Sequence, residues 1–242
     1  YLIDRVMPGA AVILLQDTAN EIRMANKKEV LEEDVLKRVE EKTNVKIGPP
    51  EKEEKNLLLN LEKRMHESLI DQEEAVSSIA EGVRRIRIGF HVFVRPISFL
   101  FLGPTGVGKT QTAKTLSKVY FSNEKNMVRF DMSEYSSEDS IERFIGSSIG
   151  STQDGISGKV HENPSSLILL DELEKAHPKI HNLFLEVLDD GRLTDNNGKT
   201  VSFANAIIVA TSNAGSEFIR NRIKDGGIIN KQFKDQFLGH LI

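Results

Sequence analysis

The chain contains no cysteine. Disulfides, thiolate metal sites and cysteine nucleophiles are therefore excluded, and the redox compartment is left open. It also lacks an excess of either charge: 32 Lys and Arg stand against 36 Asp and Glu, a net charge of −4. Composition thus gives no reason to expect nucleic acid or an anionic membrane as the main partner. Long hydrophobic runs are missing too. A stretch such as Ala10 to Leu15 falls far short of the roughly 20 apolar residues that span a bilayer. The start, Tyr1-Leu2-Ile3-Asp4-Arg5, has neither an initiating methionine nor a signal-peptide pattern, so a piece of a longer protein is expected. What remains is 242 residues, 39% hydrophobic and 28% charged. That suits one large globular domain, or one plus a fragment.

The first part of the chain carries helical patterns. Ala10 to Met24 mixes apolar and polar residues, and Glu29 to Thr43 places Val30, Leu31, Val35, Leu36 and Val39 on one face. Gly48-Pro49-Pro50 breaks the chain, and Glu51 to Lys55 continues as a charge-dense, solvated linker. Leu57, Leu61, Met65 and Leu69 then recur every four residues. Beyond Asp71, a candidate N-cap, Ala75, Val76, Ile79, Val83 and Ile86 form another stripe, which Gly89 would close. Arg84, Arg85 and Arg87 on that helix read as a solvated basic face.

From Ile97 the pattern becomes α/β. Ile97 to Leu102, Met127 to Asp131, Ser166 to Leu170 and Ala206 to Thr211 read as strands, the first of them buried, and Gly108 to Tyr120 as a helix. Strands alternating with helices predict a parallel sheet covered on both faces.

Three segments carry chemistry. Gly103-Pro104-Thr105-Gly106-Val107-Gly108-Lys109-Thr110 fits G-x-x-x-x-G-K-[ST] between a strand and a helix. Its backbone N–H groups and the helix N-terminus would cradle the phosphates of ATP. Lys109 would reach the β- and γ-phosphates and Thr110 would ligate Mg²⁺. Next, Leu167-Ile168-Leu169-Leu170-Asp171-Glu172 delivers two acids at the end of a strand, where ligands sit in open α/β sheets. Asp171 would hold the Mg²⁺ shell and Glu172 would polarise the attacking water. Last, Thr211-Ser212-Asn213 ends the fourth strand; Asn213 either contacts the γ-phosphate or lytic water, or caps the strand. His66, His91, His161, His177, His181 and His240 are scattered. His177 and His181, four apart, read as a surface helix pair rather than metal ligands.

These segments, with Asp131-Met132-Ser133-Glu134-Tyr135 and Val187 to Asp195, resemble the second ATPase module of the Clp-type AAA+ unfoldases, the group of ClpA, ClpB and ClpC. The likeness runs in order over residues 60–215. It implies an AAA+ P-loop fold, a parallel sheet with flanking helices, at 57–242 and incomplete at its C-terminus for want of a lid. Residues 1–48 resemble the end of the preceding module's small helical domain, with 49–56 as linker. It also implies that Leu69 and Ile70 flank adenine, that Gln111 joins the nucleotide contacts, and that Asn213 is a polar sensor. The family forms homo- or hetero-hexamers and threads protein substrates, in the bacterial cytoplasm or an organelle matrix or stroma.

Two positions depart from the family. Its main pore loop carries a glycine-aromatic-apolar-glycine run, where this chain has Gly150-Ser151-Thr152-Gln153. Its intersubunit arginine corresponds to His240 in Leu238-Gly239-His240-Leu241-Ile242. A peptidase partner has no support: Gly226-Gly227-Ile228 follows the sensor after a short interval, and Ile88-Gly89-Phe90 reads as a helix cap. The expected function is ATP-driven unfolding or remodelling of proteins. The alternative is a structural or regulatory ring subunit that translocates weakly. A nucleic-acid motor is disfavoured because no aromatic-plus-basic patch is present.

Overall fold

Two helices, α1 (Gly9–Met24) and α2 (Glu32–Thr43), pack on each other near the start of the chain. They belong to a computed structural model that describes residues 8–25, 29–43, 52–70, 72–88, 95–121, 123, 126–146, 155–224 and 231–241. The breaking Gly48-Pro49-Pro50, Asp71, Gly89, Gly150 to Gln153, Gly226 to Ile228 and the His240 side chain lie outside the described residues. α2 starts later than its apolar pattern. Asp34 accepts the Leu31 N–H at 3.0 Å, half of a capping box that fixes the first turn. Val30 and Leu31 are left exposed ahead of it.

The charged stretch expected to be a linker is helical from Lys52: α3 spans Lys52–Leu59. Its charges meet opposite charges instead of water. Glu54 pairs with Arg87, and Glu62 on α4 (Leu61–His66) accepts both terminal nitrogens of Arg84. Arg84 and Arg87 lie on α5 (Glu73–Ile88). The expected solvated basic face is thus largely used up in clamping α5 to α3 and α4; Arg85 remains exposed. The run from Leu57 to Leu69 is interrupted at Asn60, whose amide donates back to the Asn56 carbonyl at 2.9 Å. Such local bonds compete with helix propagation.

The remaining elements run in chain order: β1 (Ile97–Leu102), α6 (Lys109–Tyr120), β2 (Met127–Asp131), α7 (Ser140–Ile145), α8 (Ile156–Glu162), β3 (Leu167–Asp171), α9 (Pro178–Asp190), β4 (Arg192–Thr194), β5 (Thr200–Ser202), β6 (Ile207–Ser212), α10 (Ser216–Lys224) and α11 (Lys231–Leu241). Four strands form a parallel sheet in the order β1-β6-β3-β2. β3 and β6 lie in its middle and are buried throughout. Leu167 and Leu169 face a core built with Leu61, Met65, Val76, Ile79 and Leu116. Ile168 and Leu170 face the opposite core with Phe130, Phe144, Ile180 and Phe184. A strand covered on both faces needs an unbroken apolar run, which is why no alternation is visible there.

β1 is a correction. It lies at the edge of the four-stranded sheet, and among the described residues only one of its faces is covered. Ile97, Phe99 and Phe101 pack inward, while Leu100 is 55% exposed. A two-stranded β4–β5 hairpin adds to the expected strands; each strand is three residues long, and the turn is Asp195 to Gly198. The two histidines do not form a helix pair. His177 caps α9 by accepting the Lys179 N–H, and the His181 ring meets the Leu173 carbonyl at 2.8 Å. Among the described residues no helix is long and apolar enough to cross a membrane.

Candidate active site

The carboxyl ends of all four strands meet along one rim. The register pairs Leu102 with Ser212 and Asp131 with Asp171, so the segments after β1, β6, β3 and β2 are neighbours there. That convergence is where open parallel sheets bind ligands. Here it forms a cleft of about 430 Å³ lined by Thr105, Gly106, Gly108, Lys109, Thr110, Gln111, Arg129, Asp131, Asp171, Glu172, Thr211 and Asn213.

The loop after β1 turns through left-handed backbone at Gly106 (φ +87°) and Gly108 (φ +96°). Nothing lies within 4 Å of where their Cβ atoms would be. Glycine is therefore required there by conformation and not by crowding. Gly108 leads directly into α6, whose first residue is Lys109. The Lys109 ammonium donates to the carbonyls of Gly103 (2.6 Å) and Pro104 (3.0 Å) and to Asn213 Oδ1 (3.0 Å). Burial lowers its pKa from the ordinary lysine value, against the pull of Glu174, Asp171 and Glu172.

Asp171 ends β3 and is 7% exposed. One of its oxygens accepts from Thr211 Oγ1 at 2.5 Å and Thr110 Oγ1 at 3.3 Å; the other accepts from Arg129 at 2.6 Å. Glu172 takes left-handed backbone (φ 58°, ψ 50°), uncommon for a residue with a Cβ. Its N–H is held by Thr211 Oγ1 at 3.1 Å, so one hydroxyl supports both acids. The Glu172 carboxylate accepts from Lys175 at 2.5 Å and from Asn213 Nδ2 at 3.3 Å. Asn213 Oδ1 accepts from Lys109 and from Thr105 Oγ1 at 3.3 Å. Because one end of the amide meets donors and the other an acceptor, only one orientation satisfies it. Its backbone N–H is held by Glu174 at 3.1 Å. Burial alone would raise the Glu174 pKa. Its own N–H and the Asn213 N–H, with Ser212 and the Asn213 side chain, outweigh burial and hold it below the ordinary range.

The structure gathers Thr105, Gly106, Gly108, Lys109, Thr110, Gln111, Asp171, Glu172 and Asn213 around one cleft. Gly103 and Pro104 stand behind Lys109, and Val107 lends its carbonyl to the Gln72 amide at 3.1 Å. Leu69 is buried in the core with Leu61 and Val76, and Ile70 beside it is 89% exposed. Arg129, Asp131, Thr211 and Glu174 were not assigned roles from the sequence. An arginine inside the otherwise apolar run of β2 was the available signal for Arg129. The position of Thr211 one residue before Ser212-Asn213 was the signal for Thr211. Asp131 accepts the backbone N–H and hydroxyl of Ser133 (3.1 and 2.6 Å), and the Ser133 side chain holds its pKa below the usual aspartate range.

Comparison with known proteins agrees with this geometry. The profile of the AAA domain (Cdc48 subfamily) matches residues 95–241. The chaperone protein ClpB of Aquifex aeolicus is 46% identical over 209 residues, 84% of this chain and 21% of that protein. ClpE of Lactococcus lactis, an ATP-dependent Clp protease ATP-binding subunit, is 47% identical over 192 residues, 77% of this chain and 26% of that protein. Among solved structures, the closed-state reconstruction of Hsp104 with ATPγS and FITC casein superimposes with a TM-score of 0.87 at 30% identity, over 99% of this chain and 42% of that one. The chain thus spans about a quarter of the length of the curated relatives it matches. With a parallel four-stranded sheet, a glycine loop leading into α6 and paired acids at the end of β3, the chain belongs to the Clp-type AAA+ ATPases.

Proposed function

We propose that this chain is the ATP-hydrolysing core of a ring-shaped Clp machine that unfolds or remodels proteins. The observation that carries this reading is the Asn213 bridge between Lys109 and Glu172, beside the Thr110–Asp171 pair. Lys109 is the loop's cation for the β- and γ-phosphates. Its present partners are two carbonyls and an amide oxygen, which are neutral acceptors that a phosphate outcompetes. The N–H groups of Gly106, Gly108, Thr110 and Gln111 line the start of α6, where the helix partial charge favours an anion. Ile70 covers adenine, with Leu69 as its packed support.

The donor set fits a hard divalent ion: a hydroxyl from Thr110 and a carboxylate from Asp171, both oxygen, 3.3 Å apart. Mg²⁺ bound there would neutralise charge on the phosphates. Glu172 takes the proton of the attacking water, and Asn213 fixes the Glu172 carboxylate relative to Lys109 so that water and phosphate are aligned. The large ATPase subdomain takes in α3 from Lys52 onward, with α1 and α2 belonging to a preceding small helical domain. Subunits assemble as a hexamer in a bacterial cytoplasm or an organelle matrix or stroma, and proteins, not nucleic acids, are the substrates.

The test is ATP-dependent unfolding of a stable tagged protein by the full-length protein, with Glu172→Gln as the blocked control. No unfolding by a wild type that hydrolyses ATP would leave the second reading, a structural or regulatory ring subunit. That reading draws on Ser151 and His240, which stand where the family carries an aromatic residue and an arginine.

A further inference from the structure

Arg129 has no part in the chemistry just described, yet it holds the carboxylate on which metal binding depends. It sits in the middle of β2, with Phe130 beside it turned into the core. Its own side chain is 48% exposed, lines the cleft and donates to Asp171 Oδ2 at 2.6 Å. The other oxygen of Asp171 is already engaged by Thr211 and Thr110. The nearest donor on the second oxygen of Asp171 is thus a cation.

Two hydroxyl donors do not offset the charge of a buried carboxylate, so a positive charge beside Asp171 is favoured when no metal stands there. A guanidinium at 2.6 Å supplies it. A divalent ion beside the same oxygen is disfavoured while the guanidinium stays, because two cations so close repel. Arg129 has somewhere to go. Asp131, two residues along β2 and hence on the same face, lines the same cleft. The arginine side chain is long and half exposed, so its guanidinium has room to swing toward the cleft.

We propose that Arg129 is a displaceable counter-ion of Asp171, a stand-in for the metal in the nucleotide-free cleft. It yields to Asp131 and the incoming phosphates, so that metal loads together with nucleotide and poorly without it. This specificity role rests on reading Asp171 as the metal-holding carboxylate.

The experiment measures Mn²⁺ binding to the full-length protein by electron paramagnetic resonance, with and without ATP. Without ATP, Arg129→Met should bind Mn²⁺ up to about fivefold more tightly than wild type, the scale expected for one partly screened charge. Arg129→Lys should stay near wild type, and Arg129→Met with Asp171→Asn should lose the gain. Without metal the methionine variant should melt earlier than wild type and be rescued by Mn²⁺. Arg129→Gln, which keeps a donor but no charge, replaces it if methionine prevents folding. Equal nucleotide-free affinity in wild type and a folded neutral variant would overturn the proposal. Should ATP-dependent Mn²⁺ binding survive Asp171→Asn, the metal assignment itself fails, and the proposal with it.

Discussion

Asn213 ties Lys109 to Glu172: its amide oxygen accepts from the lysine at 3.0 Å and its amide nitrogen donates to the glutamate at 3.3 Å. The phosphate-binding cation and the base that activates water are thus spaced by one side chain at the end of β6. Asn213→Ala should keep ATP affinity within a few fold and lower turnover by about 10²–10³, the cost of removing one positioned amide. Steady-state hydrolysis alongside calorimetric ATP binding checks this; loss of both together would make Asn213 a binding residue.

Glu172→Gln preserves shape and the bond from Asn213 but cannot take a proton. Turnover should fall by about 10²–10⁴ while ATP binding persists. A variant unable to bind ATP would show Glu172 to be structural.

Lys109→Ala removes the one lysine among the described residues that line the cleft. Nucleotide binding should become undetectable by calorimetry at concentrations that saturate wild type. Unchanged affinity would exclude this loop as the phosphate site.

The clamp between Arg84 and Glu62 makes stability depend on acid. The hydrogen bonds from Arg84 hold the Glu62 pKa below the ordinary value near 4.5. A depressed folded pKa adds stability above the unfolded value and loses it as pH falls through the folded one. Glu62→Gln should therefore cost about 0.5–1 kcal/mol at pH 7, a partly exposed pair discounted for screening. The gap from wild type should narrow as pH falls below 4.5. Denaturant melts at pH 7 and pH 3.5 measure it; a gap at pH 3.5 as large as at pH 7 would assign the effect to packing.

Gly146 and Gly155 pass backbone to backbone. A Cβ on Gly155 would lie 2.3 Å from the Gly146 Cα, and Gly146 also holds φ +67°. Gly155→Ala should destabilise by at least about 1–3 kcal/mol, the range for overpacking a filled site. Thermal unfolding unchanged from wild type would mean that the two segments separate freely.

The sheet strands, the phosphate loop and the paired acids are readable along the chain without its fold. Each depends on local pattern: an apolar run long enough to be buried, glycines where φ turns positive, acids directly after a strand. Gly106, Gly108, Lys109, Thr110, Asp171 and Glu172 were legible for that reason. Tertiary structure alone decided which charges face one another. Arg84 and Arg87 look like a solvated face until α3 and α4 bring Glu54 and Glu62 against them. Nothing local in the sequence pairs Arg129 with Asp171; the parallel register of β2 and β3 sets it beside that acid. Leu69 and Ile70 are adjacent and chemically alike, yet one is buried and the other open. Periodicity reports which residues prefer to leave water; it carries no record of which distant side chain they meet, because that pairing arises only when strands and helices far apart in the chain are packed together.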